Sequence, residues 1–536
     1  MPDNSFARRP QDVRSLAIGY AAVLVAGAGL YLATAARGAQ WQDSGEFILR
    51  VLDHDWIGRL GLALSHPIHH GLGRLAVAVM PTEPAFAVTT VSALAAALTL
   101  ANLYGCVLTL TGRPAAAALA AASLGLANTF WHMAAVAEVY TVNTALLAAE
   151  CWCVAACLKG RHRWILAAWL LNGLGTANHL QAVLTLPALA WITLRGLRAG
   201  HWTPRALPGA AALWTAGASP YLWLVVAQGL ASGEWGATLR QALFGIRYSQ
   251  NVLNTAVSPR LLATSAAFIA FNFPNLLLAL AVRGLFARPA SSDGRSVHVF
   301  LLLALCAHAA FALRYNVVDQ HTFFLPMYLL ICVFAGIGVS KLLERWSRRR
   351  ARLLLAAAWM LLALTPAWYA AGTAVARRLD LLGDRAHRKP WRDDYAYLLL
   401  PWAAFERSAD LMSRHAAALA GPEGLIVVED SMAMPAVRYR LRVAGRDGVQ
   451  AVFPPRDGWE GSPQSDLLYD EAGRRRRVVL VPLNADHPRT PCPAGSWRRD
   501  GDLYVMEAAP AETSPATAHA PDDGPATAHA PDDGGS

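Results

Sequence analysis

The residues Asp43-Ser44-Gly45-Glu46 follow directly after an apolar run at 15–36. A run of about 22 apolar residues is long enough to cross a bilayer as a helix. Carboxylates beside a bilayer are costly, and an Asp and a Glu three positions apart share one face of a helix. Asp43 and Glu46 are therefore a candidate active centre. The alternative is that both residues only cap and solvate a loop.

The composition is that of a membrane protein. Hydrophobic residues make up 55% of the 536-residue chain and charged residues 16%, whereas soluble proteins have about 25% charged residues. The net charge of +10 comes from basic residues in short segments between apolar runs, which is typical of topology signals. We therefore expect an α-helical polytopic membrane protein with no nucleic-acid partner. The seven cysteines show neither a disulfide framework nor a zinc spacing.

The apolar runs predict about eleven transmembrane helices. They cover residues 15–36, 84–111, 114–130, 133–158, 163–178, 180–198, 207–230, 260–283, 297–313, 321–341 and 351–373. If the N-terminus is cytoplasmic, nineteen Lys and Arg residues fall in inner segments and eight in outer loops, as the positive-inside rule requires. This orientation places Asp43 and Glu46 on the outer face.

Further polar residues fall at the outer ends of the predicted spans. The candidate binding residues are His66, Glu138, Tyr140, Asn143, Asn178, His179, Arg247, Arg314, Asp319 and His321. A carboxylate inside a span, such as Glu138, indicates function, although a structural hydrogen bond also accounts for it. Arg247 and Arg314 either bind an anion or only reach the interface. These polar clusters all lie on the predicted outer side of the membrane. The sequence shows no internal repeat of the kind that transporters have. The pattern therefore favours an outward-facing catalytic cavity.

The first outer loop, residues 39–81, carries His66, His69 and His70. Imidazole is a common ligand of transition metals. The adjacent His69 and His70 cannot both face one ion from a regular element, and thiolate partners are absent, so we predict no metal site here. Binding of a divalent cation by Asp43 and Glu46 is a further alternative, although two carboxylates alone do not complete a six-coordinate site.

The composition divides the chain into three parts. Residues 1–376 contain the apolar runs and the first outer loop, which we expect to be structured because it is long. Residues 380–509 are rich in Arg, Asp and Glu, and their alternating patterns predict a small α/β domain on the outer side. The patterns indicate helices at 395–420 and 432–441 and buried strands at 424–430 and 477–482. Residues 510–536 contain the repeat PATAHAPDDG twice and are expected to be disordered.

Several motifs, taken in chain order, carry a resemblance to a known family. They are Asp-Ser-Gly-Glu-Phe at 43–47, Ser-His-Pro at 65–67, Ala-Glu-Val-Tyr-Thr-Val-Asn at 137–143, Gly-Leu-Gly-Thr-Ala-Asn-His at 173–179, Tyr-Asn-Val-Val-Asp at 315–319, Phe-Phe-Leu-Pro at 323–326 and Val-Val-Glu-Asp-Ser at 427–431. In this order they resemble a bacterial family of multispan proteins of uncharacterised function. That family is related to the eukaryotic protein O-mannosyltransferases of the plexin type. The resemblance covers residues 10–450 and is more specific than any single motif.

The resemblance implies a GT-C glycosyltransferase fold. In such enzymes a polyprenyl-phosphate-linked sugar donor enters from the membrane and an acceptor approaches from outside. An acid in the first outer loop typically acts as the catalytic base, and this role carries over to Asp43, with Glu46 beside it. Arg247 and Arg314 would then stabilise the leaving phosphate. The chain departs from the family at Ile68-His69-His70-Gly71, where a second proline, a glycine and a tyrosine are usual, so donor and acceptor choice stay open.

We therefore expect an O-mannosyltransferase-like enzyme in the inner membrane of a bacterium, with a cytoplasmic N-terminus and an extracytoplasmic C-terminal domain. It would move mannose or another hexose from a polyprenyl phosphate to a protein Ser or Thr, an envelope glycan or a lipid. Two other classes of function stay open. One is a lipid or solute transporter that uses the same cavity, and the other is a non-catalytic envelope assembly factor that acts through residues 380–509.

Overall fold

The computed structural model describes residues 13–157, 160–246, 249–383, 389, 391–456, 459, 462–469, 475–484, 488–493 and 495–507. Two predictions lie outside these residues: the role of Arg247 and the disorder of the tail at 510–536.

Helices dominate the first 378 residues. They are α1 (Val13–Thr34), α2 (Gln42–Asp53), α3 (Pro67–Val79), α4 (Pro84–Thr111), α5 (Pro114–Gly125), α6 (Asn128–Ala135), α7 (Tyr140–Cys157), α8 (Trp164–Asn178), α9 (Leu186–Arg198), α10 (Ala206–Ser232), α11 (Trp235–Phe244), α12 (Ser249–Leu253), α13 (Pro259–Asn272), α14 (Leu277–Leu285), α15 (Ser292–Arg314), α16 (Leu325–Arg345), α17 (Arg348–Ala363) and α18 (Thr365–Arg378). Short 3-10 helices at Leu180–Thr185 and Gln320–Phe324 lead directly into α9 and α16, and a third lies at Leu62–Leu64.

The chain is a multi-pass membrane protein, with helices in all eleven regions of the predicted spans. Among the described residues, seven helices are long and apolar enough to cross a membrane alone. They are Val13–Thr34, Pro84–Thr111, Tyr140–Cys157, Leu180–Arg198, Ala206–Ser232, Ser292–Arg314 and Gln320–Arg345. The number within the described part rises to nine if the bent pairs α13 with α14 and α17 with α18 each form one span.

The remaining regions differ from the predicted straight spans. The run at 114–130 is divided between α5, of 12 residues, and α6, and α8 has 15 residues, or about 22 Å of helix. The run at 260–283 bends by 109° between α13 and α14, where Pro274 has no backbone N–H to continue the helix. The break between α5 and α6 could not be predicted from hydropathy, because the residues that form it, Leu126 and Ala127, are apolar.

The helical core is built around α4, α7 and α16, which are largely buried by their neighbours. Close backbone approach tightens the packing of α14 on α16. A Cβ at Gly284 would lie 1.8 Å from the Phe334 carbonyl oxygen, and one at Gly338 would lie 1.9 Å from the Leu280 carbonyl oxygen. Only glycine fits at these two positions, which is typical of helices packed within membranes.

The polar C-terminal part contains a mixed sheet and helices. The strands are β1 (Leu425–Val428), β2 (Gln450–Val452), β3 (Val478–Val481), β4 (Ser496–Asp500) and β5 (Leu503–Glu507), and the helices are α19 (Asp394–Leu399), α20 (Ser408–Ala420) and α21 (Met434–Val443). The strand order is β2-β1-β3-β5-β4, with β1 parallel to β2 and β3, and β5 antiparallel to β3 and β4. The predicted helix at 395–420 is divided into α19 and α20, and Pro401 follows the end of α19.

This C-terminal unit, named the outer domain below after the predicted topology, packs directly on the start of α2. The Gln42 backbone N–H donates to the Met432 carbonyl oxygen at 3.0 Å. A Cβ at Gly45 would lie 2.4 Å from the Gln40 carbonyl oxygen and 2.8 Å from the Pro435 Cβ, so only glycine allows α2 to approach α21 this closely.

A buried ion pair supports the same contact. The Arg440 guanidinium on α21 binds the Asp410 carboxylate on α20, and both side chains are only 8% exposed. Asp410 also accepts a hydrogen bond at 3.4 Å from the backbone N–H of Ala39, just ahead of α2. The carboxylate thus connects two helices of the outer domain to the first outer loop.

Replacing Asp410 should therefore destabilise this contact. In Asp410→Ala the Arg440 guanidinium stays buried without its carboxylate, which should lower the free energy of unfolding by about 3–5 kcal/mol. Thermal unfolding of the detergent-solubilised chain measures the effect. Glu344→Ala, which removes an exposed carboxylate paired with Lys341, is the control and should cost at most about 1 kcal/mol. Equal effects of the two variants would contradict the role given to Asp410.

Candidate functional site

The two acids of the first outer loop lie on α2 but serve different contacts. Asp43 is in the first turn, where a carboxylate interacts favourably with the helix N-terminus. Glu46 lies one turn further on, and its Oε1 pairs with Nε of Arg59 at 3.4 Å. Between them, Ser44 and Gly45 are buried.

Glu138 is hydrogen-bonded to α2 through Ser44. Its Oε1 accepts a hydrogen bond from Ser44 Oγ at 2.9 Å. Its backbone N–H donates to Ser92 Oγ on α4 at 2.9 Å, and the same hydroxyl donates back to the Glu138 carbonyl oxygen at 2.8 Å. The sequence placed Glu138 inside a span, whereas the structure places it in the non-helical segment 136–139 between α6 and α7. These bonds fix the buried Glu138 between α2 and α4.

The charges of two other carboxylates act on Glu138. Burial raises the pKa of Glu138 well above its ordinary value, and the charges of Asp43 and Asp319 raise it further, while the hydrogen bond from Ser44 opposes the shift. Burial also raises the pKa of Asp319, which lies between α15 and α16. Asp43, Glu138 and Asp319 come from distant parts of the chain, so the fold brings together acids that the sequence keeps apart.

Tyr140 connects this acidic group to the segment that precedes α16. The Tyr140 hydroxyl donates to Asp319 Oδ2 at 3.4 Å. The Tyr140 ring also contacts the Phe323 ring, with 5.7 Å between ring centroids. The motifs at 137–143 and 315–319 therefore meet in space.

Two histidines complete the cluster. The His66 ring stacks on the His179 ring with 5.2 Å between centroids, and His179 lies 5.4 Å from the Tyr140 ring. The Asn178 carbonyl oxygen lies 2.7 Å from His66 Nδ1, and Asn178 Nδ2 donates to the Val139 carbonyl oxygen at 3.0 Å. Burial lowers the pKa of His179 to about 4, so its imidazole is neutral at neutral pH.

The remaining predicted site residues make other contacts. Asn143 lines a small cavity together with Glu150 and His308. Arg314 Nη1 donates to the carbonyl oxygens of Val252 and Asn254. The His321 ring packs on the Phe268 ring at 5.8 Å, and Arg247 lies outside the described residues. The described contacts join His66, Glu138, Tyr140, Asn178, His179 and Asp319 into one group, and the charge of Asp43, the neighbour of Ser44, acts on Glu138. These seven residues are called the carboxylate cluster below.

The described part of the chain contains no group of three or more His, Cys, Asp or Glu that could hold a metal ion. His69 packs against the Phe47 ring at 5.6 Å, and His70 packs against the Trp56 ring at 4.3 Å. Burial, followed by the positive charges nearby, lowers the pKa of His69 to about 3 and of His70 to about 4. Both imidazoles are therefore neutral side chains packed on aromatic rings.

Sequence reasoning missed the contribution of the outer domain. Burial raises the pKa of Tyr397 on α19, the charge of Arg392 opposes this shift, and the charges of Glu406, Glu138 and Asp43 add to it, so the ring lies near the carboxylate cluster. The Arg392 guanidinium lies 4.0 Å from the centroid of the Tyr397 ring, and its Nε pairs with Asp394 Oδ1 at 2.6 Å. No periodicity or motif in the sequence marks Arg392, because its role depends on how the outer domain packs on the helical core.

Comparison with known families matches part of this chain. The model of the protein O-mannosyl-transferase TMEM260 N-terminal domain matches residues 43–201. The matched segment begins at Asp43 and contains Glu138, Tyr140 and His179. Among curated proteins, none matches the chain.

The structure is similar to two crystal structures of ArnT from Cupriavidus metallidurans. The form bound to undecaprenyl phosphate has 17% sequence identity and a TM-score of 0.55, with 92% of this chain and 98% of that chain covered. The apo form has 16% identity and a TM-score of 0.54 over the same shares of the two chains. The chain therefore has the GT-C fold.

The raised pKa of Glu138 predicts a pH dependence of stability. Between its unfolded and folded pKa values, the folded chain binds more protons than the unfolded chain, so stability falls as the pH rises through that window. Glu138→Gln has no proton to lose and keeps an acceptor for Ser44. As the pH rises from about 5 into the alkaline range, the melting temperature of the wild type should fall relative to that of Glu138→Gln.

Thermal unfolding in one detergent across this pH range is the measurement. Glu344→Gln removes an exposed acid and should follow the wild type at each pH. Parallel pH profiles of the wild type and Glu138→Gln would contradict the assignment of a buried, protonated Glu138.

Proposed function

We propose that this chain is a membrane glycosyltransferase that transfers a sugar from a polyprenyl-phosphate donor to an acceptor hydroxyl. The observation that carries the proposal is the carboxylate cluster, where the buried Glu138 accepts a hydrogen bond from Ser44, the neighbour of Asp43, and Tyr140 donates to Asp319. Burying Glu138 near the charges of Asp43 and Asp319 costs free energy, and such groups concentrate at sites where protons are transferred.

Asp43 is the catalytic base in this proposal. As the acceptor oxygen bonds to the anomeric carbon of the sugar, its proton passes to the Asp43 carboxylate. The bond between that carbon and the phosphate oxygen breaks, and the polyprenyl phosphate leaves with the bonding electrons. The stereochemical course is left open. Glu46 takes a positioning role, because its ion pair with Arg59 holds the loop after α2.

Glu138 takes a different role from Asp43. With its raised pKa, a protonated Glu138 donates a hydrogen bond to a sugar oxygen and does not compete with Asp43 for the acceptor proton. The neutral rings of His66 and His179 and the hydroxyl of Tyr140 provide the other polar groups toward the donor sugar.

The leaving phosphate requires a positive charge near the cluster. Arg314 is engaged with two backbone carbonyl groups. Arg392, which packs on Tyr397 beside the cluster, joins Arg247 and Arg314 as a candidate for this role. That a protein of the same fold has been crystallised with undecaprenyl phosphate supports a polyprenyl-phosphate donor for this chain.

The sugar is proposed to be mannose or another hexose, because residues 43–201 match an O-mannosyl-transferase family model. The acceptor is a protein Ser or Thr or an envelope glycan or lipid. The distribution of basic residues supports a bacterial inner-membrane location with the N-terminus in the cytoplasm and the outer domain outside.

Mass spectrometry of envelope proteins and glycolipids tests the proposal. A hexose-bearing product should be present in cells with the wild-type gene and absent in cells without it. Asp43→Asn should lower product formation by about 10²–10⁴-fold, because the amide cannot accept the proton. Its abundance in the membrane should equal that of the wild type.

Asp53→Asn is the matched control for this experiment. Asp53 lies at the other end of α2, half exposed, and pairs with Arg442. Cells with Asp53→Asn should form as much of the hexose-bearing product as cells with the wild-type gene. Full product formation by Asp43→Asn at equal abundance would rule out Asp43 as the base.

A further inference from the structure

A cavity of about 720 Å³ lies between the segment from Trp391 to His415 and the turn before β5. It is called the aromatic cavity below. Its walls include the aromatic side chains of Trp391, Trp402 and Phe405, together with the carboxylates of Asp393, Glu406 and Asp502. The volume falls within the range of pockets that hold small ligands, about 300–1,000 Å³.

The aromatic cavity lies next to the start of α2. The Trp391 ring stacks on the Trp41 ring with 4.4 Å between centroids, and Trp41 immediately precedes α2 and lies two residues before Asp43. Arg392, the residue after Trp391, packs on Tyr397. The stacked Trp391 and Trp41 rings thus connect the wall of the cavity to the segment that carries the proposed base.

The cavity also lies at the end of the first span. The backbone N–H groups of Ala403 and Ala404 both donate to the Thr34 carbonyl oxygen at 2.9 Å, where α1 ends. The Trp402 ring contacts the Trp131 ring of α6 at 5.6 Å. These contacts place the cavity at the C-terminal end of α1, next to α6.

The lining includes aromatic rings and carboxylate acceptors beside aliphatic side chains such as Leu400 and Leu411. Phe405 is 83% exposed and Asp502 is exposed as well, so both are available to a ligand. Glu406 Oε1 accepts from the Ser408 backbone N–H at 3.1 Å, and an ionised carboxylate has further lone pairs to offer. Sugars present hydroxyl donors at their edges and apolar C–H faces to aromatic rings, so the lining complements both parts of a sugar.

The lining carries more acidic than basic side chains, which disfavours an anionic ligand. Among the described residues that line the cavity are three carboxylates and one arginine, Arg407. Asp393 pairs with Arg377, and His415 pairs with Asp500 at 3.1 Å. A polyprenyl phosphate would meet net negative charge here. A peptide fits less well than a sugar, because its backbone carbonyl groups need donors and the lining offers mostly acceptors.

We propose that the aromatic cavity binds a neutral, hydroxyl-rich glycan as the acceptor of the transfer. The inference rests on the function proposed above and specifies the class of acceptor. It assigns Phe405 to packing on a sugar face and Asp502 to accepting hydroxyl hydrogen bonds.

Titration of the full-length, detergent-solubilised chain with mannotriose tests this inference. Tryptophan fluorescence, to which Trp391 and Trp402 contribute, should change to saturation in the wild type. The double variant Phe405→Ala with Asp502→Asn should bind at least about tenfold more weakly, because it loses a packing surface and a charged acceptor. Both side chains are exposed, so the variant should fold.

A matched double variant, Val443→Ala with Asp447→Asn, changes an exposed apolar and an exposed acidic residue at and just after the end of α21. It should bind mannotriose as the wild type does. Absence of saturable binding to the wild type, or equal affinity of the two double variants, would overturn the inference. Tighter binding of the peptide Ala-Thr-Ala-Ser than of mannotriose would assign the cavity to a protein acceptor and overturn it as well.

Asp43→Asn separates this inference from the proposed function. It should bind mannotriose with wild-type affinity while forming no hexose-bearing product. Normal product formation by this variant would remove the proposed catalytic base and leave the glycan site standing. Unaltered mannotriose binding in the Phe405 and Asp502 double variant would remove the glycan site and leave the base standing.

Discussion

The packing of the outer domain on α2 is the constraint on which the proposed site depends. Gly45 allows α21 to approach the helix, and the Gln42 backbone N–H binds the Met432 carbonyl oxygen. On its other side α2 is bound to the helical core through Ser44 and Glu138. Asp43 is therefore held between two rigid parts of the molecule, and a shift of either part would move the carboxylate.

The same packing determines the electrostatic environment of Glu138. Burial raises the pKa of Glu138, and the charges of Asp43 and Asp319 raise it further. The stacked rings of His66 and His179 lie at the other side of Tyr140. Environments that push the pKa values of neighbouring acids apart can separate the roles of proton acceptor and hydrogen-bond donor.

Much of the fold could be predicted from the sequence, because long apolar runs leave few alternatives to membrane helices. The motifs at 43–47, 137–143, 173–179 and 315–319 also meet in one place, as their common outer position suggested. The break at Leu126 and Ala127 was hidden because apolar residues form it. The contacts of Arg314 with backbone carbonyl groups, and of Arg392 with Tyr397, depend on tertiary packing that one sequence does not encode in any local pattern.

The most direct test of the central claim is a proteoliposome assay with undecaprenyl-phosphate-linked mannose as donor and an envelope extract as acceptor. Free undecaprenyl phosphate and mannose bound covalently to acceptor are measured together over time. A transferase should form the two products in equal amounts, since each transfer breaks one bond between the anomeric carbon and the phosphate oxygen and forms one glycosidic bond. Movement of the intact donor or of solute across the vesicle membrane, with neither product formed, would contradict the account and indicate a transporter.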